Sequence, residues 1–241
     1  MRIIVIGAAG TLGGAIAADL DRRHDVIRVG RRGPVRADLT DRASLDALFD
    51  EVGEVDAVVC AAASGALTRL DEGGDAQYWR GLGGKLIGQV DLVRRAIHRV
   101  RDGGSITLTG GRFDEPIPGS TTGYLVNAGR EAFVGAAAIE MPRGIRLNIV
   151  SPGWLRETLA ALGMDPAPGT PAVDVARAYT AVVEGDAHGL VVHPEPRPMP
   201  SSVARPGQAS AGPAKSAPAS ARNVASGSSP GRAAPDRHSV A

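Results

Sequence analysis

The chain opens on Arg2-Ile3-Ile4-Val5-Ile6 and breaks at once into Gly7-Ala8-Ala9-Gly10-Thr11-Leu12-Gly13. No other stretch restricts the fold so tightly. A short, β-branched apolar run reads as a strand buried on both faces, the habit of parallel sheets. Gly14-Ala15-Ile16-Ala17-Ala18-Asp19-Leu20 follows as a helix with Ile16 and Leu20 on one face. Between strand and helix, each of three glycines at G-x-x-G-x-x-G has a physical task. Gly7 permits the tight turn, Gly10 lets the backbone approach a pyrophosphate, and Gly13 lets the helix pack on the strand. Free N–H groups at the helix start, over Thr11, Leu12 and Gly13, would hold phosphates with the help of the helix dipole. The context, more than the triplet, marks a nucleotide-binding βαβ start. A glycine-rich turn without a ligand is the plain alternative.

Strand and helix patterns alternate as far as about Val192. Asp25–Val29 reads as a second strand ending at Gly30-Arg31-Arg32, and Pro34–Asp38 as a short third. Thr40 or Asp41 caps a helix carrying Leu45, Leu48 and Phe49. Val55–Cys60 is a fourth strand running into the small residues Ala61-Ala62-Ala63-Ser64-Gly65. A long helix is expected from Gln77 to Val100, with Leu86, Val90, Val93 and Ile97 along one side. Gly104–Thr109 forms a fifth strand stopped by Gly110-Gly111, and an alanine-rich helix spans Gly123–Glu140. Ile145–Val150, the helix Val173–Val183 and the strand Leu190–Val192 complete the pattern. Such alternation predicts an α/β fold, a doubly wound and mainly parallel seven-stranded sheet with helices on both faces. Ligands in such sheets lie beyond the carboxyl ends of the strands, and here those ends are rich in glycine and alanine.

Composition narrows the function classes. With 27 basic and 26 acidic side chains the net charge is +1, which provides no field for nucleic acid or an anionic membrane surface. No apolar run approaches the roughly 20 residues of a membrane helix. Cys60 is the single cysteine, so intramolecular disulfides are excluded and a reducing cytoplasm is the expected location. A strand beginning at Arg2 leaves no place for a basic-then-apolar signal peptide. His24, His98, His188, His193 and His238 lack metal-ligand spacing, so no metal site is expected. No G-x-S-x-G elbow stands between a strand and a helix, and no G-x-x-x-x-G-K-[ST] loop is present. From Pro194 onward Ser, Ala, Pro and Gly dominate, with scattered Arg and almost no large apolar side chain. Residues 1–193 therefore read as one domain and 194–241 as a disordered tail.

With these landmarks the chain resembles the short-chain dehydrogenase/reductase superfamily over residues 1–193. The resemblance rests on the glycine motif, on Asp38-Leu39-Thr40-Asp41, and on Ala61-Ala62-Ala63 where the family has Asn-Asn-Ala-Gly. Gly144-Ile145-Arg146-Leu147-Asn148-Ile149-Val150-Ser151-Pro152-Gly153 is similar to its sixth strand, I-R-V-N-x-V-x-P-G. The resemblance implies a Rossmann fold, a nicotinamide dinucleotide and a small carbonyl or alcohol substrate. It also implies a homodimer or homotetramer built through the two long helices. Gly7, Gly10, Thr11, Leu12, Gly13, Asp38, Leu39, Ala61, Ala62, Ala63, Pro152 and Gly153 are the implied cofactor contacts. An acid at the end of the second strand would favour NAD. Arg31 and Arg32 stand there instead and can neutralise a 2′-phosphate, so NADP is expected with NAD as the alternative.

The catalytic set departs from the family. Its members pair a tyrosine with a lysine four residues later on one helix, where the ammonium lowers the phenol pKa. Matching Asn127-Ala128-Gly129-Arg130-Glu131-Ala132-Phe133 to the family's K-A-A-L-E-A-F puts Gly123 at the tyrosine and Asn127 at the lysine. Tyr124 lies one position late, about 100° around the helix. Thr109 is the hydroxyl nearest to the family's serine, and Lys85 matches its active-site asparagine. Two readings follow. Either Tyr124, Lys85 and Thr109 form a displaced catalytic set, or the chain is a catalytically degenerate dinucleotide-binding regulatory or scaffold protein. It resembles a subgroup with a good glycine motif and without the usual active-site residues.

Overall fold

Alternate residues of the first strand face opposite sides, and both sides are closed. In a computed structural model, which describes residues 1–62, 67–79 and 81–194, β1 (Arg2–Ile6) sends Ile4 and Ile6 to one core and Ile3 and Val5 to another. These four side chains are at most 1% exposed. The sequence is apolar at every one of these positions because neither face of the strand meets water.

Seven strands form a single sheet in the order β3-β2-β1-β4-β5-β6-β7, and every pairing is parallel. They are β2 (Asp25–Gly30), β3 (Val35–Arg36), β4 (Val55–Cys60), β5 (Val100–Thr109), β6 (Arg146–Val150) and β7 (Val191–Val192). The chain winds outward from β1 through β2 to β3, then restarts at β4 on the other side. The switch point of this doubly wound α/β fold therefore lies between β1 and β4, paired through Ile6 and Cys60.

One core packs α2 (Arg42–Val52), α4 (Gly88–Ala96) and α5 (Thr121–Ala138) on the sheet through Leu45, Leu48, Phe49, Leu92, Val93 and Val134. The other packs α1 (Thr11–Leu20) and α7 (Ala172–Glu184) through Ile16, Leu20, Val175, Tyr179 and Val183. Asp41 caps α2 by accepting from the Ala43 N–H at 2.9 Å. All of these elements belong to one compact unit, Met1–Pro198. The expected tail beyond Pro194 lies outside the described residues.

Two expectations need correction. The helix expected from Gln77 to Val100 is broken into α3 (Asp75–Tyr78), a π-helical segment Leu82–Ile87 and α4. Gly81, Gly83, Gly84 and Gly88 crowd this stretch and weaken its preference for a continuous α-helix. Gly88 has a packing reason as well, since a Cβ there would lie 2.3 Å from the Leu39 carbonyl oxygen. The second correction is β5, which begins at Val100 rather than Gly104, with an irregular register against Val55–Ala57. A further short helix, α6 (Arg156–Ala161), follows β6.

The glycines that set α1 on β1 differ in what they tolerate. At Gly13 a Cβ would fall 2.1 Å from the Gly7 carbonyl oxygen, whereas at Gly10 its nearest neighbour would be that oxygen at 3.4 Å. Gly13→Ala should therefore cost about 1–3 kcal/mol in urea unfolding, the scale of an overpacked core. Gly10→Ala should stay within about 0.5 kcal/mol of the parent. Equal losses would show that α1 is not seated through Gly13.

Candidate functional site

Gly7 turns the chain at the end of β1 with φ +85°, a conformation glycine accepts without strain. A Cβ there would meet the Ala62 backbone nitrogen at 2.7 Å, so the turn also lets the end of β4 pass close by. Gly10 precedes α1 with no side-chain cap. Among the described residues the N–H groups of Thr11, Leu12 and Gly13 have no protein acceptor, while Gly14 donates to the Gly10 carbonyl at 2.7 Å. Unclaimed donors, a helix dipole and a glycine that the packing does not require make a cradle fitted to phosphate oxygens. A cleft of about 320 Å³ opens over this helix start, walled by Gly10–Gly13, Ala61, Gly110, Gly111, Pro152 and Gly153.

A larger cavity of about 600 Å³ adjoins it and shares Gly110, Gly111, Pro152, Gly153, Trp154 and Thr158 as walls. Its remaining lining includes Lys85, Phe113, Gly123, Asn127 and Arg130. Gly123, Asn127 and Arg130 recur at four- and three-residue spacing and so share one face of α5. The positions matched to the family's tyrosine and lysine thus do face the cavity. They bring neither a phenol nor an ammonium. The edge of the Phe113 ring fills the space above Gly123, where a Cβ would lie 2.8 Å from it.

Cations come from elsewhere. Arg130 is 1% exposed, and its guanidinium donates to the carbonyl oxygens of Thr109 and Val126 and to Asn127 Oδ1. Burial lowers its pKa. The π-helical segment carries Lys85 into the same cavity, half-buried and without a hydrogen-bond partner among the described residues. Burial and then the Arg130 charge hold its ammonium below its ordinary pKa. Asn127 lies over Gly111, where a Cβ would come within 3.2 Å of its Nδ2.

The other two predicted catalytic side chains are engaged away from Lys85. Thr109 Oγ1 donates to the Cys60 carbonyl at 2.6 Å and lies 2.7 Å from the Tyr179 hydroxyl, deep in the protein. Its backbone carbonyl receives Arg130, and the residue itself lines the cleft over the start of α1. Tyr124 is 36% exposed and stacks on Phe113, with 5.2 Å between ring centroids. Its hydroxyl donates weakly to the Phe113 carbonyl at 3.5 Å. Ser151, not Thr109, occupies the neighbourhood of Gly110, because its Oγ would lie 1.9 Å from a Cβ there. That hydroxyl donates to Glu131 at 2.6 Å.

Of the expected cofactor contacts, Gly10, Thr11, Leu12, Gly13, Ala61, Pro152 and Gly153 surround the cleft. Gly7 and Ala62 form the floor of the turn. Arg31 and Arg32 are exposed just beyond β2. Asp38 accepts from the Thr40 N–H at 2.9 Å and the Thr40 hydroxyl at 2.7 Å, bonds that lower its carboxyl pKa. Leu39 instead lines a separate cleft with Thr40, Gly83 and Ile87. Ala63 lies outside the described residues. Burial pushes the Cys60 thiol up to about 12, so it is an inert part of the core.

Arg130 is the site residue that sequence reasoning missed. A signal existed: it falls in step with Val126, Val134 and Ala138 on the buried stripe of α5.

Comparison with known proteins places this geometry. A family model described as enoyl-(acyl carrier protein) reductase matches residues 14–180. The chain is 38% identical to the structure of the protein lin1944 from Listeria innocua, covering 80% of this chain and 98% of that one with a TM-score of 0.75. A small-chain dehydrogenase solved with NADPH shares the fold at 23% identity and TM-score 0.70, over 80% of this chain and 95% of that one. So does a short-chain dehydrogenase from Burkholderia cenocepacia J2315 solved with NADP, at 22% identity and TM-score 0.67 over the same shares. No protein of curated function matches. By its family-model match and its likeness to the Listeria protein, the chain belongs to the short-chain dehydrogenase/reductase superfamily.

Proposed function

We propose that this protein is an NADP(H)-dependent oxidoreductase acting on a small carbonyl or alcohol substrate. The observation that carries the reading is the shared wall of the two spaces. A dinucleotide seated on the start of α1 would have its far end between Gly110, Gly111, Pro152 and Gly153, against the cavity holding Lys85. NADP over NAD is supported by Arg31 and Arg32 at the end of β2 and by the fold neighbours solved with NADPH and NADP.

When bound, a nicotinamide supplies or accepts the hydride. This chain's part is to hold the substrate and handle a proton. In the reducing direction Lys85 Nζ gives a proton to the carbonyl oxygen and regains it from solvent. Its lowered pKa makes the ammonium a better acid, and the Arg130 charge favours the neutral amine that results. Asn127 and the Thr109 carbonyl hold Arg130 in place. Tyr124 and Thr109 act as packing and positioning residues. We place the protein in the cytoplasm as at least a dimer, joined through the α5 face where Leu125 is 52% exposed.

A second reading has its own support, because Gly123 and Asn127 stand where the superfamily has its hydroxyl and ammonium. It is a dinucleotide-binding scaffold without turnover. NADPH consumption followed at the nicotinamide absorbance over a panel of aldehydes, ketones and oxo acids separates the two.

On the active reading, Lys85→Met should lower kcat about a hundredfold, the scale of proton-transfer assistance. Tyr124→Phe should leave kcat nearly unchanged. A full-strength Lys85→Met enzyme would remove Lys85 from the chemistry. Replacing Arg31 and Arg32 by serine should weaken NADPH binding at least about tenfold, the loss of one charge-assisted phosphate contact, and spare NADH. Equal loss of both dinucleotides would sink the NADP assignment. Sedimentation at micromolar protein should give a dimer or larger, and a monomer would refute the α5 contact.

A further inference from the structure

Among the described residues the cavity beside the dinucleotide cleft is lined by three cations, Lys85, Arg112 and Arg130, and by no acid. Lys85 and Arg130 both line it, and burial and mutual repulsion act on Lys85. Arg112 stands at the same wall but is exposed and pairs with Asp114 at 3.4 Å. The nearest opposing carboxylate felt by Arg130 is Glu131, whose Oε1 is taken up by the Ser151 hydroxyl at 2.6 Å. Every hydrogen bond Arg130 makes among the described residues ends on a neutral oxygen.

That arrangement is costly unless something else balances it. The Glu131 charge acts on Arg130 from beside it, but a guanidinium taken out of water with no carboxylate in direct contact still loses several kcal/mol of solvation. Three bonds to neutral oxygens fix its plane but leave N–H donors unclaimed on both terminal nitrogens. A guanidinium held rigidly with free N–H groups presents the fork geometry that matches a carboxylate. Leu67, Phe113, Trp154 and Leu162 supply an apolar part of the lining, with Asn127 and Thr158 as neutral polar neighbours.

We infer that the substrate of this site carries a carboxylate head, held by Arg130 and Lys85, on an apolar body that packs against Phe113, Trp154 and Leu162. The inference deepens the oxidoreductase reading by naming its substrate as an oxo or hydroxy acid. Its test needs no turnover.

Octanoate and its neutral counterpart octanamide serve as probes, added to the full chain without dinucleotide. Binding is followed by calorimetry and by the emission of Trp154, which lines the cavity. Octanoate should bind at least about tenfold tighter than octanamide, the size of one charge-assisted hydrogen bond. Lys85→Met, on the half-buried π-helical segment, should erase most of that preference. Arg130→Lys keeps the charge but loses the fork, and should weaken octanoate while leaving octanamide unchanged. Far-UV circular dichroism of each variant confirms the fold. Equal binding of the two probes, or an octanoate preference that survives Lys85→Met, would overturn the inference. Tighter binding of octyl phosphate than of octanoate would overturn the carboxylate assignment. NADPH failing to bind the unaltered protein would strike at the oxidoreductase reading alone, because the octanoate preference is measured without it.

Discussion

The arrangement of this site depends on one close approach, that of Gly13 to the Gly7 carbonyl. There is no room for even a methyl group between them. The contact sets the start of α1 against the end of β1, and α1 then packs on α7 through Ile16, Leu20, Val175 and Tyr179. Tyr179 carries the constraint further. Its hydroxyl meets Thr109 Oγ1 at 2.7 Å, and Thr109 in turn is tied to the Cys60 carbonyl. The opposite end of the same residue, its backbone carbonyl, receives Arg130 from α5. Helices on opposite faces of the sheet are thus joined through the carboxyl ends of β4 and β5. The start of α1 and the buried cation are thereby linked through one chain of contacts.

Arg130 is where stability and function pull apart. An apolar side chain at that point of α5 would continue the stripe of Val126, Val134 and Ala138 and avoid the desolvation of a charge. Hydrogen bonds to three neutral oxygens recover part of that loss, at roughly 1.5–3 kcal/mol each for a charged donor. A purely structural role would be better served by a partner carboxylate, and Glu131 is adjacent in sequence. Its carboxylate is committed to Ser151 instead. A charge kept buried and oriented at a cavity wall, with no carboxylate hydrogen-bonded to it, suits a binding group better than a packing group.

Much of this was legible from residue order alone. The parallel sheet follows from apolar strands such as Ile3–Ile6 and Val55–Cys60, whose neighbours are covered on both faces. The phosphate cradle follows from glycine spacing, because local backbone geometry decides it. The displaced chemistry was only half legible. Matching α5 to the family's helix placed Gly123 and Asn127 on the cavity wall. Which side chains fill the space those residues leave depends on Phe113 and Lys85, from a loop and a π-helical segment distant in sequence. Tyr124 looked close to the missing tyrosine by one position. One position is about 100° on a helix, and it turns the ring onto Phe113. Thr109 lines the cleft as its position suggested, but its hydroxyl is bonded to the Cys60 carbonyl and lies beside the Tyr179 hydroxyl, contacts that no local pattern announces.

On the proposed reading the acid is an ammonium instead of a phenol, which changes the electrostatics of the step. A phenol that gives up its proton becomes an anion and needs a nearby cation to stabilise it. An ammonium becomes neutral. Beside Arg130, loss of the Lys85 proton relieves a repulsion instead of creating a charge. The guanidinium that would hold an anionic substrate therefore also acts on the Lys85 proton. A carboxylate bound beside the two cations would raise the Lys85 pKa, so that the ammonium is fully charged once the substrate is seated and releases its proton less readily than in the empty cavity. On the proposed reading, substrate binding and proton supply are coupled through Lys85 and Arg130, the two cations of the cavity wall that no acid pairs with among the described residues.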